Sequence, residues 1–188
     1  MVFSSVIFLL CFLPAFLTVY FLSPKRLKNT VLLLSSIAFY TWGAPKFIFA
    51  ILATTTVDFY FVRMLDRSET EKKRRLFLVL SLLLNVGMLF YFKYFNFFAD
   101  NFNHILHAFG CRELTWTKVL LPIGISFYTF HGLSYVIDIY YDKIKAERDF
   151  INYGLFVSFF PLLVAGPIER ATHLLPQIKQ PRKFNYGK

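Results

Sequence analysis

Six apolar blocks separated by short polar stretches set the outline of this chain. They run from Ser4 to Leu22, Thr30 to Trp42, Lys46 to Val62, Leu76 to Tyr94, Val119 to Tyr140 and Phe150 to Ala165. A helix needs about 20 apolar residues to cross a bilayer, with about 17 as a lower limit. The first, fourth and fifth blocks meet that length outright. The second and third are shorter and are joined by "WGAP", a turn in which Pro45 disfavours helix at Ala44. Lying between two basic loops, they cross and return, or enter and leave from one side, with tilt or local thinning of the bilayer. Pro14 is positioned to kink the first block.

Between the fourth and fifth blocks, "KYFNFFADNFNHILHAFG" is aromatic and weakly charged, with Phe95, Phe98 and Phe102 at helical spacing. That pattern predicts an interfacial helix in the headgroup region. The sixth block is short, contains Pro161 and ends in Gly166-Pro167. If it crosses, "ERATHLLPQIKQPRKFNYGK" lies outside with five Lys/Arg against one acid. This contradicts the positive-inside rule. A re-entrant segment over 150–165, its backbone buried by protein, removes the conflict.

Composition sharpens the class. Of 188 residues, 56% are hydrophobic, 20% aromatic and 17% charged, where soluble domains carry about 25% charged residues. The net charge of +10 is dispersed between the apolar blocks, which is an orientation signal and excludes nucleic acid as a partner. "RMLDRSETEKKRR" carries six Lys/Arg against three acids and reads as cytoplasmic. The first positive charges follow the opening apolar run, so that run reads as a span with its N-terminus outside and not as a cleavable signal. The expectation is an all-α, polytopic transmembrane helical protein with tilted and re-entrant segments, multi-pass in the inner or plasma membrane. Cys11 and Cys111 lack paired spacing, so neither a disulfide framework nor a metal site is expected.

Candidate chemistry is concentrated in the fifth block. His131, Ser134, Tyr135 and Asp138 recur at i, i+3, i+4 and i+7, a polar face on an otherwise apolar helix. Ionisable groups at membrane depth normally face a bundle interior or a wet cavity. Gly124, Ser126 and Gly132 permit close helix contact. There is no HExxH, no GxSxG and no glycine-rich phosphate loop, so no catalytic set can be assembled by spacing. His104 and His107 lack a third ligand, and His173, beside Glu169 and Arg170, reads as solvated or at headgroup level.

"LPIGISFYTFHGLSYVIDIYY", "NYGLFVSFFPLLVAGPIERATHLLPQI", "FYTWGAPKF" and "YFKYFNFF" together resemble the membrane-bound O-acyltransferase superfamily, in its alginate and polysaccharide O-acetylation branch. The resemblance runs over essentially the whole chain. It implies a helical membrane enzyme that takes an acyl group from a cytosolic thioester, acyl-CoA or an acyl carrier, with no bound cofactor. The acceptor it implies is a polysaccharide such as alginate, reached with periplasmic acetylation partner proteins. It also implies a catalytic histidine in a later helix, beyond Lys188, and hence an amino-terminal part inactive by itself. None of His104, His107, His131 or His173 matches that histidine's motif. The resemblance leaves His131, Ser134, Tyr135 and Asp138 as tunnel-lining candidates, and Gly166, Glu169 and Arg170 as donor-contact candidates. Intramembrane ionisable groups and broken helices also mark ion paths, so a small transporter or channel, or a non-catalytic packing subunit, stands as the alternative.

Overall fold

The computed structural model describes residues 5–112, 114–122, 124–166 and 169–180, and among them every regular element is helical. The helices are α1 (Leu13–Leu22), α2 (Lys28–Gly43), α3 (Ile48–Arg67), α4 (Glu71–Ala108), α5 (Ile125–Tyr140), α6 (Phe150–Ser158), α7 (Phe160–Ala165) and α8 (Ala171–Lys179). The all-α expectation holds. Two helical stretches, Pro45–Arg67 and Glu71–Ala108, are long and apolar enough to cross a membrane by length and composition.

Upstream of α1, residues Phe8–Phe12 form a π-helical turn, with Leu13 N–H donating to Phe8 O. Proline at the second position of α1 has no N–H for an ordinary i→i−4 bond, and the wider turn absorbs that loss. Phe8, Phe12 and Phe16, spaced by four, form one aromatic ridge. Phe12 and Phe16 meet Phe160 edge-on, at 5.8 and 5.6 Å between ring centroids, and Phe8 and Phe12 also pack on Phe39.

The expected separate interfacial helix is replaced by one continuous helix. At about 1.5 Å per residue, the 38 residues of α4 span about 57 Å, more than a bilayer's full thickness. No proline or glycine interrupts it at Tyr94, so the turn from hydrophobic to aromatic sequence leaves the backbone unbroken. Two asparagines then tie the following extended chain to its side. Asn96 exchanges hydrogen bonds with the Val119 backbone at 2.7 and 2.9 Å, and Asn103 does so with Leu114 at 2.9 and 3.0 Å.

The predicted fifth span is shortened in consequence. Helix α5 begins at Ile125, because Pro122 and the left-handed Gly124 (φ +77°) keep its approach irregular. A Cβ at Gly124 would stand 2.7 Å from the Leu163 carbonyl oxygen, so this close approach requires glycine. The sixth block is split at Phe159 into α6 and α7, with proline in the first turn of α7. The Ser36 hydroxyl accepts the Phe160 N–H at 3.2 Å in this break.

One end of the bundle gathers the charged loops. Arg74 donates to the Tyr140 carbonyl at 2.8 Å and pairs with Asp142 at 3.0 Å. Lys145 approaches Asp66 at 3.9 Å, and Lys179 pairs with Glu147 at 2.5 Å. Asn29, at the start of α2, donates to Asn152 Oδ1 at 2.9 Å and to the Ile178 carbonyl at 3.0 Å. The start of α6 and the end of α8 are therefore held at the same end.

The core of the bundle is mostly apolar, and its outer surface is apolar as well. Leu10, Phe21, Leu22, Phe49, Leu83 and Phe97 are among the large apolar side chains left exposed, several beyond 60%. Asp58, Ser81, Thr129, His131 and Asp138 are buried. Contiguous exposed apolar surface of this kind requires lipid or other protein against it.

Candidate functional site in the buried polar core

The centre of the bundle is built on Asp58, which the hydropathy of its block conceals. Its carboxylate, 2% exposed, accepts from the Ser81 hydroxyl on one oxygen and from the Tyr153 hydroxyl on the other at 2.7 Å. Asn85, one turn beyond Ser81 on α4, donates to the Ser81 carbonyl at 3.0 Å. Gly132 of α5 covers this group closely. A Cβ there would stand 2.7 Å from Asn85 Oδ1 and 3.3 Å from Asp58 Oδ2. Helices α3, α4, α5 and α6 thus converge on one carboxylate, and among the described residues no Lys or Arg pairs with it. The signal that could have found it was a single acid, in "TTTVDFYF", inside an apolar block.

The α5 stripe faces inward, as its periodicity predicts. His131 and Tyr135 are each 1% exposed and Asp138 is 3% exposed. Their surroundings differ. The Tyr135 hydroxyl accepts the Glu147 N–H at 2.7 Å, and its ring lies 5.0 Å from that of Tyr153. One oxygen of Asp138 accepts from Lys143 at 3.2 Å. The Ser134 hydroxyl turns back on the His131 carbonyl at 2.9 Å. His131 packs 5.5 Å from the Phe156 ring; the Val157 backbone is its nearest polar neighbour, and no side chain among the described residues hydrogen-bonds to either imidazole nitrogen. The hydroxyls of Tyr128 and Thr129, one turn or less before it, share that condition. Buried polar atoms are nearly always satisfied, so Tyr128 and His131, one turn apart on one face of α5, mark a place where polar contacts remain to be made.

The donor-contact candidates lie in the link between α7 and α8. Gly166 ends α7, and a Cβ there would meet Leu162 at 2.5 Å. Glu169 accepts from His173 at 3.0 Å, one turn along. Arg170 is exposed at the first position of the turn into α8. Glu169 lies within electrostatic range of His131, and α5 packs against both α7 and α8, although among the described residues no hydrogen bond or ion pair joins Gly166, Glu169 or Arg170 to the α5 stripe. Pro167 and Ile168, between Gly166 and Glu169, lie outside the described residues.

A second missed residue is Glu147. It stands in a charged loop yet is 5% exposed. Its Oε1 accepts the N–H groups of Arg148 and Asp149 at 2.9 and 3.1 Å, and its Oε2 meets Lys179. The pairing with Lys179 depends on α8 folding back, which local sequence does not announce.

A helical bundle with an extensively apolar outer surface, two helices long enough to cross a bilayer and a few polar groups buried in an apolar core fits a membrane protein. Comparison with known proteins gives its kinship. The chain is 39% identical over 178 residues to the Pseudomonas aeruginosa protein named "Probable alginate O-acetylase AlgI", covering 94% of this chain and 34% of that protein. Its similarity to the Azotobacter vinelandii protein of the same name is 40% over 179 residues, covering 94% and 36%. It is also 28% identical over 208 residues to the "Peptidoglycan O-acetyltransferase" of Helicobacter pylori, covering 95% and 39%. These relatives bear out the resemblance to the O-acetylation branch of the membrane-bound O-acyltransferases. The chain spans about a third of the length of the curated relatives it matches. No family model matches the chain, and no solved structure matches it.

Proposed function

We propose that this chain forms part of a multi-pass membrane O-acyltransferase. The whole enzyme passes an acetyl group from a cytosolic thioester, acyl-CoA or an acyl-carrier protein, towards a polysaccharide such as alginate, with periplasmic partner proteins completing delivery. The observation that carries this reading is the 39–40% identity, along 94% of the chain, to proteins named for alginate O-acetylation.

The geometry supports a particular division of labour. Acyl transfer needs a base near the acceptor hydroxyl, donors for the developing oxyanion and a passage poor in water. Of the α5 stripe, His131 has no side-chain hydrogen-bond partner, and the Tyr128 hydroxyl one turn before it is likewise uncommitted. This stretch lines the passage in our reading. Tyr135 and Ser134 are committed to partners within the chain, and Asp138 pairs with Lys143 through one oxygen and keeps the other free. Arg170, exposed beside Glu169 and Gly166, is the contact for an anionic donor group.

Orientation follows from the charged end. Loops rich in Lys and Arg cluster there, so the positive-inside rule makes it cytosolic and puts the N-terminus outside. Asn29 holds both the start of α6 and the end of α8 at that end, which supports re-entry for the segment from Phe150 to Ala165.

The test is genetic and chemical. Disrupting the gene should abolish O-acetyl esters on the secreted polysaccharide, measured by NMR, and the full-length gene should restore them. Full-length His131→Ala should restore at most about a tenth of the esters at normal protein levels. Unaltered acetylation after disruption would refute the enzyme reading. Full recovery with His131→Ala would remove His131 from the passage.

A further inference from the structure

Two concavities meet at Ile178. The larger, of about 310 Å³, is an apolar groove between α1, α2, α6 and α8, lined by Leu17, Tyr20, Leu32, Leu155, Phe159 and Ile178. That volume lies within the usual range of small-molecule sites, about 300–1,000 Å³. The smaller, of about 210 Å³, is lined by Lys25, Arg26, Lys28, Asn29, Ile178, Lys179 and Gln180. Among the described residues, Lys25, Arg26 and Lys28 make no ion pair, while Lys179 is already held by Glu147. Lys28 Nζ sits 4.9 Å from the centroid of the Tyr20 ring, where groove passes into basic pocket.

We propose that groove and pocket form one binding site for an anionic phospholipid, its acyl chain along α1 and its headgroup phosphate among Lys25, Arg26 and Lys28. Three arguments select this occupant. The groove opens beside Leu17 and Phe21, which are exposed on the outer apolar surface, so a lipid tail enters sideways without crossing polar sequence. The cations directly follow the apolar run of α1, at headgroup depth. A cluster of unpaired cations on the face read as cytosolic matches the anionic lipid of that leaflet. Neither free phosphate nor a soluble thioester would use the apolar half.

Native mass spectrometry of the detergent-purified full-length protein tests this. The protein should retain dioleoyl phosphatidylglycerol at least about tenfold better than dioleoyl phosphatidylcholine. The triple variant Lys25→Ala/Arg26→Ala/Lys28→Ala should lose that preference. Lys72→Ala/Lys73→Ala/Arg75→Ala, which removes the same charge from another loop, should keep it. Leu17→Trp, which fills the groove, should weaken retention of both lipids, and neither inorganic phosphate nor acetyl-CoA should displace the bound lipid. Equal retention of the two lipids by the wild type would overturn the proposal. So would an unchanged preference in the first triple variant, an equal loss in the second, or displacement by acetyl-CoA.

Discussion

Gly132→Ala tests the closeness of the polar core most directly. In an ordinary helix this change favours stability by about 1 kcal/mol. Here the added methyl would lie 2.7 Å from Asn85 Oδ1 and 3.3 Å from Asp58 Oδ2. Asn85 cannot swing away freely, because it is buried and its amide is bonded to the Ser81 carbonyl at 3.0 Å. Moving it sacrifices a hydrogen bond worth about 1 kcal/mol, and overpacking a close contact costs about 1–3 kcal/mol more. Subtracting the helix gain leaves a net loss of about 1–3 kcal/mol. At about 2–4 °C per kcal/mol for a chain of this size, the midpoint falls by about 2–12 °C. The assay is thermal loss of the monodisperse peak of detergent-purified protein. Gly87→Ala on α4, where nothing lies within 4 Å of the added methyl, is the matched control and should leave the midpoint unchanged or raise it. In Gly132→Ala/Asn85→Ser, the shorter side chain should recover part of the loss. A Gly132→Ala protein as stable as its Gly87→Ala counterpart would refute the reasoning.

Other substitutions carry equally definite expectations. Asp58→Ala strands the Tyr153 hydroxyl and opens a void, costing about 2–4 kcal/mol; Asp58→Asn keeps one acceptor and should cost less in the same thermal assay. Gly124→Ala adds strain at positive φ to a clash with the Leu163 backbone, so it should lower the yield of folded protein more than any other glycine change named here, as read by size-exclusion chromatography. Tyr135→Phe leaves the buried Glu147 N–H without its acceptor and should destabilise by about 1–3 kcal/mol, with faster hydrogen exchange at the Glu147 amide as its signature.

What the sequence discloses here divides along range of interaction. The α5 stripe was legible because His131, Tyr135 and Asp138 repeat at one-helix spacing, and periodicity is local. Asp58 escaped notice because its partners come from Ser81, 23 residues on, and Tyr153, 95 residues on; only the oddity of an acid among apolar neighbours was visible. The continuity of α4 was misread for a different reason. A change from aliphatic to aromatic composition resembles a boundary, yet composition does not break a helix, and the two asparagines that bind the next segment to it act through side chains. Helix α8 was hidden by its charged setting, although Ala171, Leu175 and Ile178, its buried residues, follow i, i+4, i+7 spacing.

The Asn29 amide also imposes an order of events during biosynthesis. Its two acceptors are 123 and 149 residues further along the chain. At roughly 5–20 residues per second of translation, the first emerges about 6–25 seconds after Asn29 itself. Until then this side chain relies on water or headgroups at the bilayer surface. The amino-terminal helices must therefore wait, correctly placed, for the segment that locks them.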